Sequence, residues 1–263
     1  MPYHRVIPVL LFDGGAIFRS QQFARHYRLG DPLMQLERYK AWDVDELIYL
    51  DMNRAEGGTR LLDFLPAIAK NCFAPLAVGG GVRSLDDIHA RLDAGADRVV
   101  VNTAAVRDPS FITAAARLYG EQAIIVAIDA RRRPDGRYDV VIDSGREATG
   151  RDASEWASEA AARGAGEIFL NSIDRDGMGI GYDLVLIAGI ASRVTIPVIA
   201  CGGAGAYEHL ARGVLEGGAM SVAAANLFCF KELSYLAAKD ALASAGVATR
   251  TSGILDRRNN KPK

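Results

Sequence analysis

Two kinds of residue in this chain can carry chemistry: carboxylates that close apolar runs, and glycines clustered just beyond such runs. Asp129 ends the run Ile125-Val-Ala-Ile-Asp129, Asp51 ends an earlier one, and Asp174 and Asp176 follow a third in Asn171-Ser-Ile-Asp-Arg-Asp-Gly177. A carboxylate placed where a buried strand would end suits general acid–base work. Asp129 is the leading candidate, because an acid closing an apolar run needs a reason to be there. Asp176 is a further catalytic candidate. Asp174 and Asp183 also suit loop capping, and that reading is preferred for Asp183. Gly79-Gly80-Gly81 with Asn102-Thr103, and Gly202-Gly203-Ala204-Gly205 with Ala225-Asn226, form two clusters. Bare backbone N–H groups there can approach a phosphate closely. Gly81, Asn102 and Thr103 at one site, and Gly202, Gly203, Ala225 and Asn226 at the other, imply a ligand with a phosphate at each end. Tight turns alone would also use glycine, but two clusters repeated across the chain favour phosphate.

A second set of charges lies at the opposite ends of the same runs: Arg5, Glu46, Arg98 and Glu167. Two positive and two negative groups could pair into a salt-bridged plug. Ordinary solvation of strand ends is the competing reading.

The elements that must hold these residues are legible as eight short apolar runs. They are Val6–Leu11, Leu47–Asp51, Pro75–Val78, Arg98–Asn102, Ile124–Asp129, Ile168–Asn171, Pro197–Ala200 and Ser221–Ala225. Runs with few polar interruptions suit parallel strands buried on both faces. Helix-like stretches lie between them, such as Ser84–Ala94, Pro109–Tyr119, Asp152–Ala162 and Tyr207–Glu216, with Ser84 and Asp152 as N-caps. Eightfold alternation predicts an α/β fold, a single (β/α)8 TIM barrel. Its 263 residues match one such barrel, placed at 1–248, with 249–263 as a flexible C-terminal tail. An open doubly wound sheet is the alternative, but the first turn lacks its glycine fingerprint. The segment Phe12–Asp31 is long for a βα loop and is expected to act as a lid.

The barrel also reads as two fused half-barrels. Pro75-Leu-Ala-Val-Gly-Gly80 resembles Pro197-Val-Ile-Ala-Cys-Gly-Gly203, with Gly79 falling 123 residues before Gly202. At an offset of 118, the first run aligns with the fifth and Leu11 stands where a partner of Asp129 would be. Asp13 lies two residues on, about 6.6 Å along a strand, and so would occupy a different place.

A net charge of -1 gives no broad electrostatic case for nucleic acid or an anionic membrane. Cys72, Cys201 and Cys229 show no metal or disulfide spacing, and His4, His26, His89 and His209 show no metal pattern. His89 and His209 are expected on helices, facing solvent. No run approaches the roughly 18 apolar residues of a membrane span, and the N-terminus carries no leader-like run. A cytoplasmic protein without metal or cofactor is expected.

From residue 5 to about 250 the chain resembles the cyclase subunit of imidazole glycerol phosphate synthase. The likeness rests on Asp45-Glu-Leu-Ile-Tyr-Leu-Asp51, Val78-Gly-Gly-Gly-Val82, Val101-Asn-Thr-Ala-Ala-Val106, Val126-Ala-Ile-Asp-Ala130, Gly164-Ala-Gly-Glu-Ile168, Ser172-Ile-Asp-Arg-Asp-Gly177, Gly181-Tyr-Asp183 and Gly202-Gly-Ala-Gly205. The resemblance implies a barrel docked on a glutaminase, whose ammonia enters at the bottom and meets a bisphosphate substrate at the mouth. It implies that Arg5, Glu46, Arg98 and Glu167 gate that entrance, with Arg98 where the family often has Lys, and that Asp97 lies at the glutaminase interface. The family's acid–base pair is matched by Asp129 alone. Leu11 replaces the other Asp, Arg19 replaces a Lys, and Cys201 and Asn226 replace serines.

Val6-Ile-Pro-Val-Leu-Leu-Phe-Asp-Gly-Gly15, Leu170-Asn-Ser-Ile-Asp-Arg-Asp-Gly-Met178 and Ile199-Ala-Cys-Gly-Gly-Ala-Gly205 resemble a variant branch associated with acetamidino-sugar modification. That branch implies a barrel delivering ammonia, with a glutaminase and a separate sugar amidotransferase, in surface-polysaccharide biosynthesis. It is the leading expectation. A working cyclase of histidine biosynthesis, with Asp13 or Asp176 sharing the proton work, and a non-catalytic activator of a glutaminase are the alternatives.

Overall fold

The structure, a computed structural model, describes residues 3–52, 60–229 and 234–250. In chain order the first half contains β1 (Arg5–Asp13), β2 (Ala16–Gln21), β3 (Arg25–Gly30), α1 (Pro32–Ala41), β4 (Leu47–Asp51), α2 (Leu61–Asn71), β5 (Leu76–Gly79), α3 (Leu85–Asp93), β6 (Arg98–Val101), α4 (Thr103–Arg107) and α5 (Ser110–Tyr119). The second half contains β7 (Ile124–Arg132), β8 (Tyr138–Ile142), β9 (Glu147–Asp152), α6 (Ala153–Ala162), β10 (Glu167–Ser172), α7 (Leu184–Ala191), β11 (Val198–Cys201), α8 (Tyr207–Leu215), β12 (Ser221–Ala224) and α9 (Ser234–Ser244).

Eight strands close into a parallel barrel in the order β1-β4-β5-β6-β7-β10-β11-β12, with β12 returning to β1 through Arg5↔Ser221 to Pro8↔Ala224. All eight expected runs are barrel strands. Parallel neighbours need crossovers, and helices supply them. Several of those helices start at caps legible in the sequence. Ser84 accepts from the Asp87 N–H while the Asp87 carboxylate accepts from the Ser84 N–H, and Asp152 accepts from Ser154 and Glu155.

Strand alternation sorts side chains into two cores. Val6, Leu10 and Phe12 of β1 join the shell beneath the helices. Ile7 and Val9 join Ile48, Ala77, Val100, Ile125, Ala127, Phe169, Ile199 and Ala223 in a second cluster inside the barrel. The same alternation carries one interior face from bottom to mouth: Arg98-Val100-Asn102 across β6, and Glu167-Phe169-Asn171 along β10.

The expected lid Phe12–Asp31 is not an irregular loop. It is the antiparallel hairpin β2–β3, extending β1. A second hairpin, β8–β9, extends β7 in the same way. Both were missed because β3 and β9 are polar, and the apolar stretches of β2 and β8 are only about three residues long, so periodicity does not mark them. At the C-terminal end, Thr249 bridges to His4 and Arg250 pairs with Asp43 and Asp45. The rest of the expected tail lies outside the described residues.

Candidate active site and charged ring

At the barrel bottom the four charged residues meet. Glu46 pairs with Arg5 at 2.5 Å and with Arg98 at 3.5 Å. Glu167 pairs with Arg98 at 2.6 Å and with Arg5. The result is a closed ring of alternating sign, and the competing reading of separately solvated strand ends is set aside. The carboxylates are inside, at 1% and 5% side-chain exposure, while Arg5 and Arg98 keep 23% and 26%. Burial pushes the Glu46 carboxyl above its ordinary range, and both arginines pull it back. Arg5 also donates Nε to the Ser221 hydroxyl at 3.0 Å. Asp97 is exposed beside the ring, and one of its oxygens accepts from the Leu76 N–H, pinning the start of β5.

At the mouth, Asp129 faces inward from β7, across the ladder from Asn171. Asn102 donates Nδ2 to its Oδ2 at 2.7 Å. Burial pushes the Asp129 carboxyl up to about 7; hydrogen bonding to Asn171 and Asn102 opposes that rise and the Asp176 charge adds to it. Such a group exchanges a proton near neutrality. The Asn102 side-chain amide is engaged by Asp129, while the phosphate expectation for Asn102 concerns its main chain. Thr103 opens α4 and its hydroxyl accepts from the Asp143 N–H of the β8–β9 turn.

Asp176 stands on the same side of the mouth. Burial raises its carboxyl, and the Phe23 N–H approaches its Oδ2 at 3.4 Å. Gln22 N–H donates to the Asp176 carbonyl, and the Gln22 amide to the Asp174 carbonyl. Hairpin β2–β3 thus rests on the loop after β10. Asp174 and Asp183 serve local structure: Asp174 accepts from the Arg132 N–H, and Asp183 caps α7 while accepting from Tyr138.

Leu11 faces the interior opposite, against the inner cluster beside Leu50, Cys201 and Ala225. Leu11, Leu50 and Ala225 give apolar interior positions there, while Cys201 pairs across the ladder with Asn171. Burial holds the Cys201 thiol protonated, far above its ordinary range. Asp13 sits where β1 turns into β2, paired with Ala16, two residues beyond Leu11.

The glycine clusters have the expected backbone freedom. Gly80 takes φ +90°, and a Cβ there would lie 2.0 Å from the Asp51 carbonyl. Gly202 and Gly203 take φ +86° and +112°, with Asn171, Ser172 and Gly181 too close for side chains. Asn226 donates to the Ser20 carbonyl at 3.2 Å, tying the second cluster to the first hairpin. His209, expected to face solvent, instead caps the start of α8. It faces the loop after β11 rather than open solvent, its Nδ1 accepting from Gly205 and Ala206. Its place at the third position of α8 was the available signal. A groove of about 410 Å³ lies outside the barrel, lined by Tyr138, Leu186 and Arg193 among others. It shares none of the mouth's chemistry-bearing residues. Among the described residues, no group of three or more His, Cys, Asp or Glu is placed to hold a metal, and no helix is long and apolar enough to cross a membrane.

The histidine biosynthesis protein family model matches residues 5–234. The imidazole glycerol phosphate synthase subunit HisF of Hyphomonas neptunium is 48% identical over 248 residues, covering 94% of this chain and 98% of that protein. Its counterpart in Caulobacter vibrioides is 44% identical over 252 residues, covering 95% and 97%. The chain belongs to the histidine biosynthesis protein family, as a HisF-like barrel.

Proposed function

We propose that the chain is the barrel subunit of an imidazole glycerol phosphate synthase-type pair. A separate glutaminase supplies ammonia at the ring of Arg5, Glu46, Arg98 and Glu167, with Asp97 at the shared interface. The ammonia is used at the mouth on a ligand held by a phosphate at each end, giving imidazole glycerol phosphate and aminoimidazole carboxamide ribotide. The observation that carries this reading is the continuous interior face: a closed charged ring, an apolar middle and a proton-exchanging acid at the top. Neutral ammonia tolerates such a middle, whereas an ammonium ion would lose its hydration there. The two HisF relatives support it through their printed names. Two fused half-barrels form part of the same proposal, supported by matching hairpins after β1 and β7. So do the barrel limits 1–248 and a cytoplasmic setting.

Asp129 would donate and accept protons, with Asp176 as the second acid felt by it. Backbone N–H groups around Gly81, Thr103, Gly202, Gly203, Ala225 and Asn226 would hold the phosphates. One observation favours a second reading. Leu11, not a carboxylate, closes the interior face of β1 across the barrel from Asp129, so a two-acid cyclase step lacks its second acid at that position. In that reading the barrel delivers ammonia to a separate sugar amidotransferase that forms an acetamidino group on a surface-polysaccharide sugar.

The two are separated by giving the purified chain the cyclase's bisphosphate substrate with an ammonium salt, and following product by absorbance beside Leu11→Asp. Turnover by the unaltered chain at about 1 s⁻¹ or more, an ordinary enzyme rate, supports the cyclase. Absence of turnover with ligand binding retained overturns it and favours the second reading. Gain of at least about a hundredfold in Leu11→Asp, the scale of one acid–base group, would then place the loss at that position.

A further inference from the structure

A second buried charge cluster lies just outside the ring, and it reaches the chain's C-terminal segment. Lys239 on α9 is 1% exposed and pairs with Asp45, 3% exposed, at 2.6 and 2.7 Å to its two carboxylate oxygens. A lysine this deep is unusual unless its charge is matched. The Asp45 carboxylate also accepts from the Val6 N–H at 2.9 Å and from Arg250 Nε at 3.1 Å. Tyr235, one turn before Lys239, donates its hydroxyl to the Val6 carbonyl and accepts from the Asp45 N–H.

Position gives this cluster its meaning. The ladder between β1 and β4 begins only at Val9↔Ile48, so the main chain of Val6 lies below the reach of β4. Asp45 and Tyr235 satisfy both of its polar groups in place of a strand. Val6 directly follows Arg5, and Asp45 directly precedes Glu46. The cluster therefore fixes the backbone beside two of the four ring residues, on two strands not yet joined by their ladder. Arg250 closes it from outside. Its guanidinium reaches Asp43, the Asp43 and Val44 carbonyls and Asp45, while the neighbouring segment pairs with His4.

We propose that Asp45, Lys239 and Arg250 are positioning residues for the ring, through which the C-terminal segment sets the relative placement of Arg5 and Glu46. This rests on the reading of the ring as the ammonia entrance. A partner docking on the bottom face and shifting the segment at 247–250 would act on the ring through Asp45.

Arg250→Gln is the working variant, because Arg250 is nearly half exposed and its loss leaves the Asp45–Lys239 pair intact. Amide hydrogen exchange on the full chain reads the brace directly, at the Val6 N–H. In the complex with its glutaminase, product formed from glutamine is compared with product formed from added ammonium salt. Arg250→Gln is expected to speed Val6 exchange and to lower the glutamine-driven rate about tenfold. The ammonium-driven rate should stay within about twofold, since side-chain networks transmit effects of this order between sites. Arg250→Lys, which keeps the charge, should recover part of the loss. Unchanged Val6 exchange, or an equal fall of both rates, overturns the proposal. If the unaltered complex transfers no nitrogen from glutamine, the entrance reading falls, and exchange at Val6 alone decides whether the brace exists.

Discussion

The two ends of the barrel treat charge in opposite ways. At the bottom, each carboxylate meets two guanidinium groups and each guanidinium meets two carboxylates, so charge is closed on itself. At the mouth, Asp129 is held by amides rather than by a cation, and its carboxyl titrates near neutrality. The Oδ1 atoms of Asn102, Asn171 and Asn226 and the Ser172 hydroxyl are buried there without a protein partner. Buried polar groups left over after folding lower stability, and they gather where a ligand or proton transfer makes use of them. The contrast is one of charge: at the bottom even Glu46 Oε1, which accepts no hydrogen bond, faces the Arg98 guanidinium at 3.5 Å, whereas among the described residues the leftover polar atoms at the mouth face no cation, and substitutions at each end should fail differently.

The largest expected effect is at Asp129. Asp129→Asn should lower ammonia-dependent turnover by about 10²–10⁴-fold, the range for losing a general acid–base group. Its effect on stability should run the other way with pH. Unfolded, the carboxyl releases its proton near 3.8; folded, near 7. Its favourable contribution is present in full below the first value and is lost as pH rises through the second. Urea midpoints of the unaltered chain should therefore fall between about pH 4 and pH 8, and the Asn variant should lose that part of the slope. Equal slopes would mean that Asp129 is an ordinary surface acid, and the contrast between the two ends would disappear.

A smaller, mainly structural effect is expected at the ring. Glu167→Gln leaves Arg5 and Arg98 each short of one partner. Removing one side of a buried pair costs about 3–5 kcal/mol, and the quarter exposure of both arginines brings the expectation to about 2 kcal/mol. Urea unfolding at neutral pH measures it. Turnover driven by added ammonium should survive, since the mouth is untouched. If Glu167→Gln silenced ammonium-driven turnover as fully as Asp129→Asn, the two ends would not be separable.

The asymmetry between the ends also explains what could be read from the sequence. The ring residues open their strands and the mouth residues close them, so apolar runs with charged ends located both. The eight runs gave the barrel because buried parallel strands are almost continuously apolar. That the four charges could pair was legible; which of them meets which was not, because that depends on how strands stagger around a closed barrel. The Asn102–Asp129 bond was hidden for the same reason: it joins residues 27 apart through the β6–β7 ladder. Nothing in the sequence marks Lys239, since a lysine in a C-terminal helix is normally solvated, and only the fold brings Asp45 beneath it.

The smallest effect tests whether the mouth's glycines serve a ligand or only the chain. Gly80 and Gly81 are adjacent and both have positive φ, yet their surroundings differ. A Cβ at Gly80 would strike the Asp51 carbonyl at 2.0 Å, so its conformation belongs to the fold. A Cβ at Gly81, at φ +65°, would meet nothing nearer than Arg91 Nη2 at 3.9 Å. Gly81→Ala should therefore cost about 1 kcal/mol, from backbone conformation alone. A ligand approaching the freed N–H groups would meet the new methyl. Inorganic phosphate should raise the melting temperature of the unaltered chain by preferential binding to the folded state, and raise it less in Gly81→Ala. Equal protection of both would remove phosphate from this cluster and leave Gly81 a turn residue, since backbone strain alone lowers stability without changing the increment that phosphate adds.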